Sequence, residues 1–203
     1  MSLYATYADW ITGVRDWLDA DHLTDAQVEG FIALAQERMN RELAAWEMEE
    51  TEDQVVAASL VNLPADFNRI RQVSIAGLGT FDASTKGEII NKTAQGDETR
   101  RLFAIDAGTI ILWPAVGDGA VVTIDYYVKV EPISLTLDSN IFTDSYARLL
   151  LWAALIEGSK FIVEDDRSQG FERDYATDLE IANQVPKRIK MGSTPLRRLV
   201  RTM

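Results

Sequence analysis

Val61-Asn62-Leu63-Pro64-Ala65-Asp66-Phe67-Asn68-Arg69-Ile70-Arg71-Gln72-Val73-Ser74 divides this chain, with helical sequence before it and strand-like sequence after it. Pro64 fixes its own φ and biases Leu63 toward an extended backbone, so the chain leaves one strand and turns before Ile70, Val73 and Ile75 begin the next. Asp66 is placed to bond nearby backbone amides and hold that turn.

Toward the N-terminus, Tyr7, Trp10, Ile11, Val14 and Leu18 recur at helical spacing from about residue 4 to 19, and Val28, Phe31, Ile32, Ala35, Met39 and Leu43 from about 25 to 46. Thr24 followed three residues later by Gln27 reads as a capping box that starts the second helix, with Asp25 favourable in its first turn. The short turn at Asp19 to Leu23 makes the pair an antiparallel helical hairpin. The acidic run Glu47-Met48-Glu49-Glu50-Thr51-Glu52-Asp53 follows, and is expected to be a solvated junction between helix and strand.

Beyond it the period becomes strand-like, with Val55 to Val61, Arg69 to Ile75, Arg101 to Ile105, Thr109 to Trp113 and Ala120 to Val130 as candidates. Ala107-Gly108 and Gly117-Asp118-Gly119 suit antiparallel connections, because glycine supplies the positive φ that such turns need. Residues 76 to 99, with Gly77, Gly79, Gly87 and Gly96, read as loops with a short helix or strand near Glu88 to Lys92.

From Thr143 the pattern returns to helix. Ala147 to Ile156 is apolar on every side except at Arg148, the mark of a helix buried against its own domain on one face and open to a neighbouring subunit on another. Asp165-Asp166 is read as the loop before a last helix from about Ser168 to Gln184, which Pro186 should stop. The expected fold class is α+β: a discontinuous helical bundle from residues 1–52 and 141–186, an inserted antiparallel β domain at 53–140, and a basic C-terminal tail at 187–203.

The 203 residues, 47% hydrophobic and 26% charged, have the composition of a globular protein. No apolar run approaches the roughly 20 residues that span a bilayer, and the N-terminus lacks a basic segment followed by an apolar one. The expected place is the cytoplasm or a particle assembled there, with no membrane partner. All 32 Asp and Glu lie at or before Glu180, whereas Lys187, Arg188, Lys190, Arg197, Arg198 and Arg201 leave the last 17 residues at +6 and the remainder, with 14 basic residues, at −18. Such a body repels polyanions, while the tail could seek an acidic surface or a phosphate backbone. Ile189, Met191, Leu196, Leu199 and Val200 interleave the cations, a pattern that suits a segment ordering on docking.

Catalytic chemistry finds little footing. The chain has no cysteine, and its one histidine, His22, has no nucleophile pattern and no second histidine beside it, so it reads as a surface turn residue. The acidic run supplies paired carboxylates, but acid/base work needs a pocket that drives their pKa values apart. Phosphate loops, dinucleotide fingerprints, nucleophile elbows and calcium loops are missing from the sequence, and no cofactor or metal is expected. Trp113-Pro114 and Tyr126-Tyr127 do not make a basic stacking groove, since Asp118 and Asp125 stand close by; they read as core aromatics and an edge contact.

The order of features resembles the head-to-tail adaptor proteins of tailed bacteriophages: an N-terminal helical hairpin, the Leu63-Pro64-Ala65-Asp66-Phe67 turn, a Gly-containing hairpin before Thr109-Ile110-Ile111-Leu112-Trp113-Pro114, the Tyr126-Tyr127 strand, two C-terminal helices and a basic tail. The resemblance implies a structural, non-catalytic neck protein of the virion, assembled in the host cytoplasm. It implies a ring, commonly of about twelve copies, between the portal and the tail or nozzle proteins, with DNA passing through its channel without sequence-specific binding. It also implies that the tail meets the portal protein, through Lys187, Arg188, Lys190, Leu196, Arg197, Arg198, Leu199 and Arg201. Two other classes stay open: a nucleic-acid-binding module acting through the tail, and a hydrolase using Asp or Glu.

Overall fold

A computed structural model describes residues 3–57, 60–96, 98–163 and 165–192, the last eight and residues 165–166 as backbone only. It is a mixed α+β protein with seven strands and six α-helices among the described residues. Two compact units divide it, one from residues up to Glu47 together with those from Val130 onward, the other from Met48 to Lys129.

The first unit is helical. Helix α1 (Tyr7–Leu18) opens on a capping box of Thr6 with Asp9, and α2 (Asp25–Glu42) on the expected box of Thr24 with Gln27. Every apolar residue of the two periodic stripes is buried. From the C-terminal half come α4 (Ile141–Ser145), α5 (Ala147–Ile162) and α6 (Asp165–Gly192). α5 packs against α1, α2, α4 and α6, which explains its all-round apolar character; Leu149 to Leu151 and Ala153 to Ile156 are buried. Two expectations are corrected. Asp165-Asp166 opens α6, where acidic residues suit the positive end of the helix dipole. Pro186 does not stop that helix, which runs six residues further; a proline costs one backbone hydrogen bond but can be carried inside a long helix.

Buried amides stitch irregular backbone to this helical unit. Val130 donates to Asn40 Oδ1 at 2.9 Å while Asn40 Nδ2 donates to the Val130 carbonyl at 3.1 Å. One turn earlier, Gln36 Oε1 accepts from the Ile133 amide at 2.8 Å and from Asn140 Nδ2 at 3.2 Å. Asn183 of α6 accepts from the Ala44 amide at 2.7 Å and donates to the Glu42 carbonyl at 3.2 Å, closing the C-terminal end of α2.

The second unit carries β1 (Glu49–Val55), β2 (Leu60–Asn62), β3 (Phe67–Ile75), β4 (Gly79–Ala83), helix α3 (Lys86–Gln95), β5 (Leu102–Asp106), β6 (Thr109–Trp113) and β7 (Val121–Val128). The strand order is β1-β7-β3-β4-β5-β6-β2. Its two end strands are consecutive in the chain and meet at an Ala57–Leu60 bridge, so the sheet bends round on itself. Val73, Phe81, Phe103, Ile110, Leu112, Val122 and Ile124 are buried in its core.

Four expectations are corrected in this unit. The acidic run is solvated as expected, with Glu50, Thr51 and Asp53 exposed, but it is more than a junction: after a 3-10 turn at Trp46–Met48 it forms β1, which pairs with β7 along its whole length. Val55 to Val61 is no single strand but the end of β1, the Ala57–Leu60 bridge and the start of β2. The insert is not wholly antiparallel, because β4 and β5 pair in parallel. The glycine-rich segment between them supplies the crossover that parallel pairing requires, namely α3, with Ile89 packed on Leu102 and Ala104. Finally, Gly117 to Gly119 does not close a hairpin, since β6 and β7 are far apart in the strand order. Ala107 and Gly108 do, both at positive φ, in the two-residue turn between β5 and β6.

Candidate assembly interface

Strand β1 is the most unusual surface of the β unit. It ends the strand order: one edge pairs with β7, and among the described residues the other carries no ladder, although the chain beyond Val55 turns back into β2 at the Ala57–Leu60 bridge. Four of its seven residues, Glu49, Glu50, Glu52 and Asp53, are acidic. Glu49, Thr51 and Asp53 share one face with Tyr127, Asp125 and Thr123 of β7, and cross-strand pairs hold them there. Thr51 donates to Asp125 and Thr123 donates to Asp53, each at 2.7 Å. Glu49 pairs with Arg71 and accepts from the Tyr127 hydroxyl at 3.2 Å, while the Arg69 guanidinium lies 4.9 Å over the Tyr127 ring. Burial and then the Glu49 carboxylate raise the Tyr127 pKa. Arg71 reaches Glu49 because β3 carries an irregularity in its pairing with β7 between Ile70 and Gln72.

The Leu63 to Phe67 turn is a clamp on β7. The Phe67 amide donates to the Pro64 carbonyl at 3.2 Å, closing the turn, and the Leu63 amide donates to the Gly108 carbonyl at 3.0 Å. Among the described residues the Asp66 carboxylate bonds a side chain, not the backbone amide expected. It accepts from the Tyr126 hydroxyl at 3.0 Å, while the Asp66 carbonyl accepts from the Lys129 amide at 2.7 Å. Phe67 stacks on the Tyr126 ring, centroids 6.1 Å apart. The side chain prefers Tyr126 because β7 runs antiparallel to the strand that the turn begins, which brings that hydroxyl within reach.

On the helical unit, Trp17, Trp152 and Phe171 meet from α1, α5 and α6. Trp152 lies edge-on to Trp17 at 5.7 Å and stacked with Phe171 at 5.9 Å. Asp178 accepts from Trp152 Nε1 at 3.1 Å and pairs with Arg148 at 3.2 Å. Arg167 donates to the Leu18 carbonyl at 3.1 Å beside the Phe171 ring. Trp17 remains 46% exposed. Aromatic rings flanked by arginines have the composition of protein-binding hot spots. The trio escapes a reading of the sequence because its members come from three helices; the available signal is Trp17, a large apolar residue off the buried stripe of α1.

The other candidates take their places around these surfaces. His22 is exposed in the turn between α1 and α2. Trp113 packs against the Ile89, Leu102 and Ala104 cluster, and Tyr126 is buried. An open concavity of about 720 Å³ in the β unit is lined by residues that include Phe81, Asp82, Arg100, Arg101 and Pro114. Arg100 spans Asp82 and Glu88 there at 3.6 and 4.0 Å, and Glu98 and Arg101 also line it. Among the described residues no three His, Asp or Glu gather as a metal site, and no helix is long and apolar enough to cross a membrane. Lys187, Arg188 and Lys190 lie on the last part of α6, where only backbone is described; Leu196, Arg197, Arg198, Leu199 and Arg201 lie outside the described residues.

The family whose description reads SU10 adaptor protein matches the chain over residues 5–199. A comparison with curated proteins finds no match.

Proposed function

We propose that this chain, which belongs to the SU10 adaptor protein family, a family of phage head-to-tail adaptors, forms a ring beneath the portal and joins the DNA-filled head to the tail. The observation that carries this reading is the extent of the family match, which covers both ends of the chain and the β unit between them. In this reading the helices from the two ends form one discontinuous bundle, the β unit is its insertion, and the work of the protein is structural and not catalytic.

Several features support it. A closed ring needs two different surfaces on every copy, one to give and one to receive. The helical unit exposes Trp17, packed on the half-buried Trp152 that stacks with Phe171, and, from α2 and the end of α5, Leu34 and Phe161. Trp152 and Phe161 are nine residues apart on α5, about half a revolution at 3.6 residues per turn, so the two apolar areas point in different directions. A body at −18 suits a conduit whose wall must not grip passing DNA. The tail residues Lys187, Arg188, Lys190, Leu196, Arg197, Arg198, Leu199 and Arg201 dock on the portal, their cations against carboxylates and their apolar side chains in a groove. The other face of the ring receives the tail or nozzle proteins.

The test is the mass of the purified protein mixed with its portal, by sedimentation or mass photometry, for the full chain and for a chain ending at Pro186. A ring complex that needs the tail supports the assignment. A second reading, a nucleic-acid-binding module, is favoured by the +6 charge of the last 17 residues. If the chain ignores the portal but shifts with duplex DNA at low salt, and loses that shift without residues 187–203, this second reading replaces the first.

A further inference from the structure

The chain beyond β1 turns back into β2 at the Ala57–Leu60 bridge, but no described strand forms a ladder along the outer edge of β1 itself. Along an edge strand alternate residues direct N–H and C=O groups outward, a template on which an extended segment can add as a further strand. Among the described residues nothing but β7 pairs with β1. The carboxylates of Glu49, Glu50, Glu52 and Asp53 select what can add there. A second copy of β1 would place like charges opposite one another, and the body before the last 17 residues carries a net charge of −18. The occupant must therefore be basic and able to extend.

Leu196-Arg197-Arg198-Leu199-Val200-Arg201 meets both conditions, with three cations and three branched apolar residues in six positions. We propose that residues 196–201 of one copy add to β1 of a neighbouring copy as an eighth strand. In the antiparallel register that sets Leu199 opposite Thr51, Arg201 faces Glu49, Arg198 faces Glu52 and Arg197 faces Asp53. All three cations then meet an acidic residue. The period of two puts Arg197, Leu199 and Arg201 on the face that holds Glu49, Thr51 and Asp53, and Arg198 on the face of Glu50 and Glu52. A strand given by one copy and received by the next is a heterologous contact that links copies head to tail before they meet the portal, so the inference deepens the ring reading and rests on it. It also gives the tail a place before the portal arrives: the same cations stay on the neighbouring β1 until portal carboxylates displace them.

The full chain, which has no native cysteine, allows a direct test. Copies carrying Thr51→Cys are mixed with copies carrying Leu199→Cys at low salt, without portal, and treated with a short bismaleimide. The expected result is a cross-linked pair formed about tenfold more readily than with Ile90→Cys as the acceptor, because pairing raises the effective concentration of the two thiols. Ile90 is exposed on α3, away from the β1 edge in the strand order. Adding Glu52→Lys and Asp53→Lys to the acceptor, or raising the salt, should abolish the preference. Asp53→Cys with Arg197→Cys repeats the measurement on another rung. A yield equal to the Ile90 control at both rungs overturns the proposal, as does a doubly substituted chain that cross-links only within itself. Because the portal is left out, a ring that fails on the portal while the cross-link persists sinks the portal reading alone; a portal ring with no cross-link sinks strand exchange alone.

Discussion

The Tyr126 hydroxyl donates to the Asp66 carboxylate at 3.0 Å, joining two stretches 60 residues apart in sequence. Asp66 belongs to the Leu-Pro-Ala-Asp-Phe turn and Tyr126 to the paired tyrosines of β7. Two features that look independent in the sequence are therefore one clamp, with Phe67 stacked on the same ring. Tyr126→Phe should lower stability by about 1.5–3 kcal/mol, the range for a hydrogen bond to a charged acceptor, with the ring contact intact. Asp66→Ala should cost at least as much, and the double substitution should cost less than the sum of the two. Urea unfolding midpoints of the four proteins decide it.

The same contact sets a response to alkali. Burial, then the Asp66 carboxylate, raises the Tyr126 pKa well above its ordinary value, and burial with Glu47, at 2.7 Å, does the same to Tyr146. The unfolded chain releases these protons near pH 10 while the folded chain keeps them. Stability should thus be level below about pH 10 and fall above it, by up to about 1.4 kcal/mol per pH unit for each tyrosine. Tyr126→Phe should make that decline shallower. A decline equally steep in the variant would show that Tyr126 does not contribute to it.

Asn40 satisfies both backbone groups of Val130 from a buried position on α2. Asn40→Leu leaves a buried amide and a buried carbonyl without their partner and should cost about 2–4 kcal/mol, from about 1–3 for each unsatisfied group less the gain from a more apolar side chain. Thermal unfolding should show the loss. Hydrogen exchange at the Val130 amide should also quicken more than exchange within α1.

Val163 ends α5 in the left-handed region, at φ 61°, and is 77% exposed. A β-branched residue is held there at a cost of about 1–2 kcal/mol, whereas glycine carries an entropy cost of about 0.5–1 kcal/mol. Val163→Gly should therefore raise stability by up to about 1 kcal/mol, read from the denaturant midpoint. A lower midpoint would mean that the exposed valine side chain makes a contact worth more than the strain.

Gly158 of α5 lies against Leu18, whose Cδ1 would stand 2.4 Å from an added Cβ. Alanine gains about 1 kcal/mol in helix propensity, but overpacking costs about 1–3 kcal/mol, so Gly158→Ala should be neutral to mildly destabilising. Leu18→Ala alone should cost about 2–5 kcal/mol, and adding Gly158→Ala to it should recover part of that loss by filling the space. Thermal midpoints of the single and double variants measure the recovery.

Local chemistry was legible in the sequence. The apolar stripes from Tyr7 to Leu18 and from Val28 to Leu43, the Thr24–Gln27 box and the Ala107-Gly108 turn depend on residues a few positions apart, and each forms as those residues require. The Leu63 to Phe67 turn was visible for the same reason, though not the partner of Asp66. What the sequence could not determine was every relation whose energy comes from a distant segment. Glu49 to Val55 has no strand signal of its own; it becomes a strand because β7 supplies its hydrogen bonds and its cross-strand partners. The parallel pairing of β4 with β5 depends on α3 crossing between them, and the polar Gln36 and Asn40 fit a buried helix face only because the backbone of residues 130–133 comes to meet them. Helix periodicity is written in neighbours along the chain, whereas strand order and buried polar pairing are decided by neighbours in space.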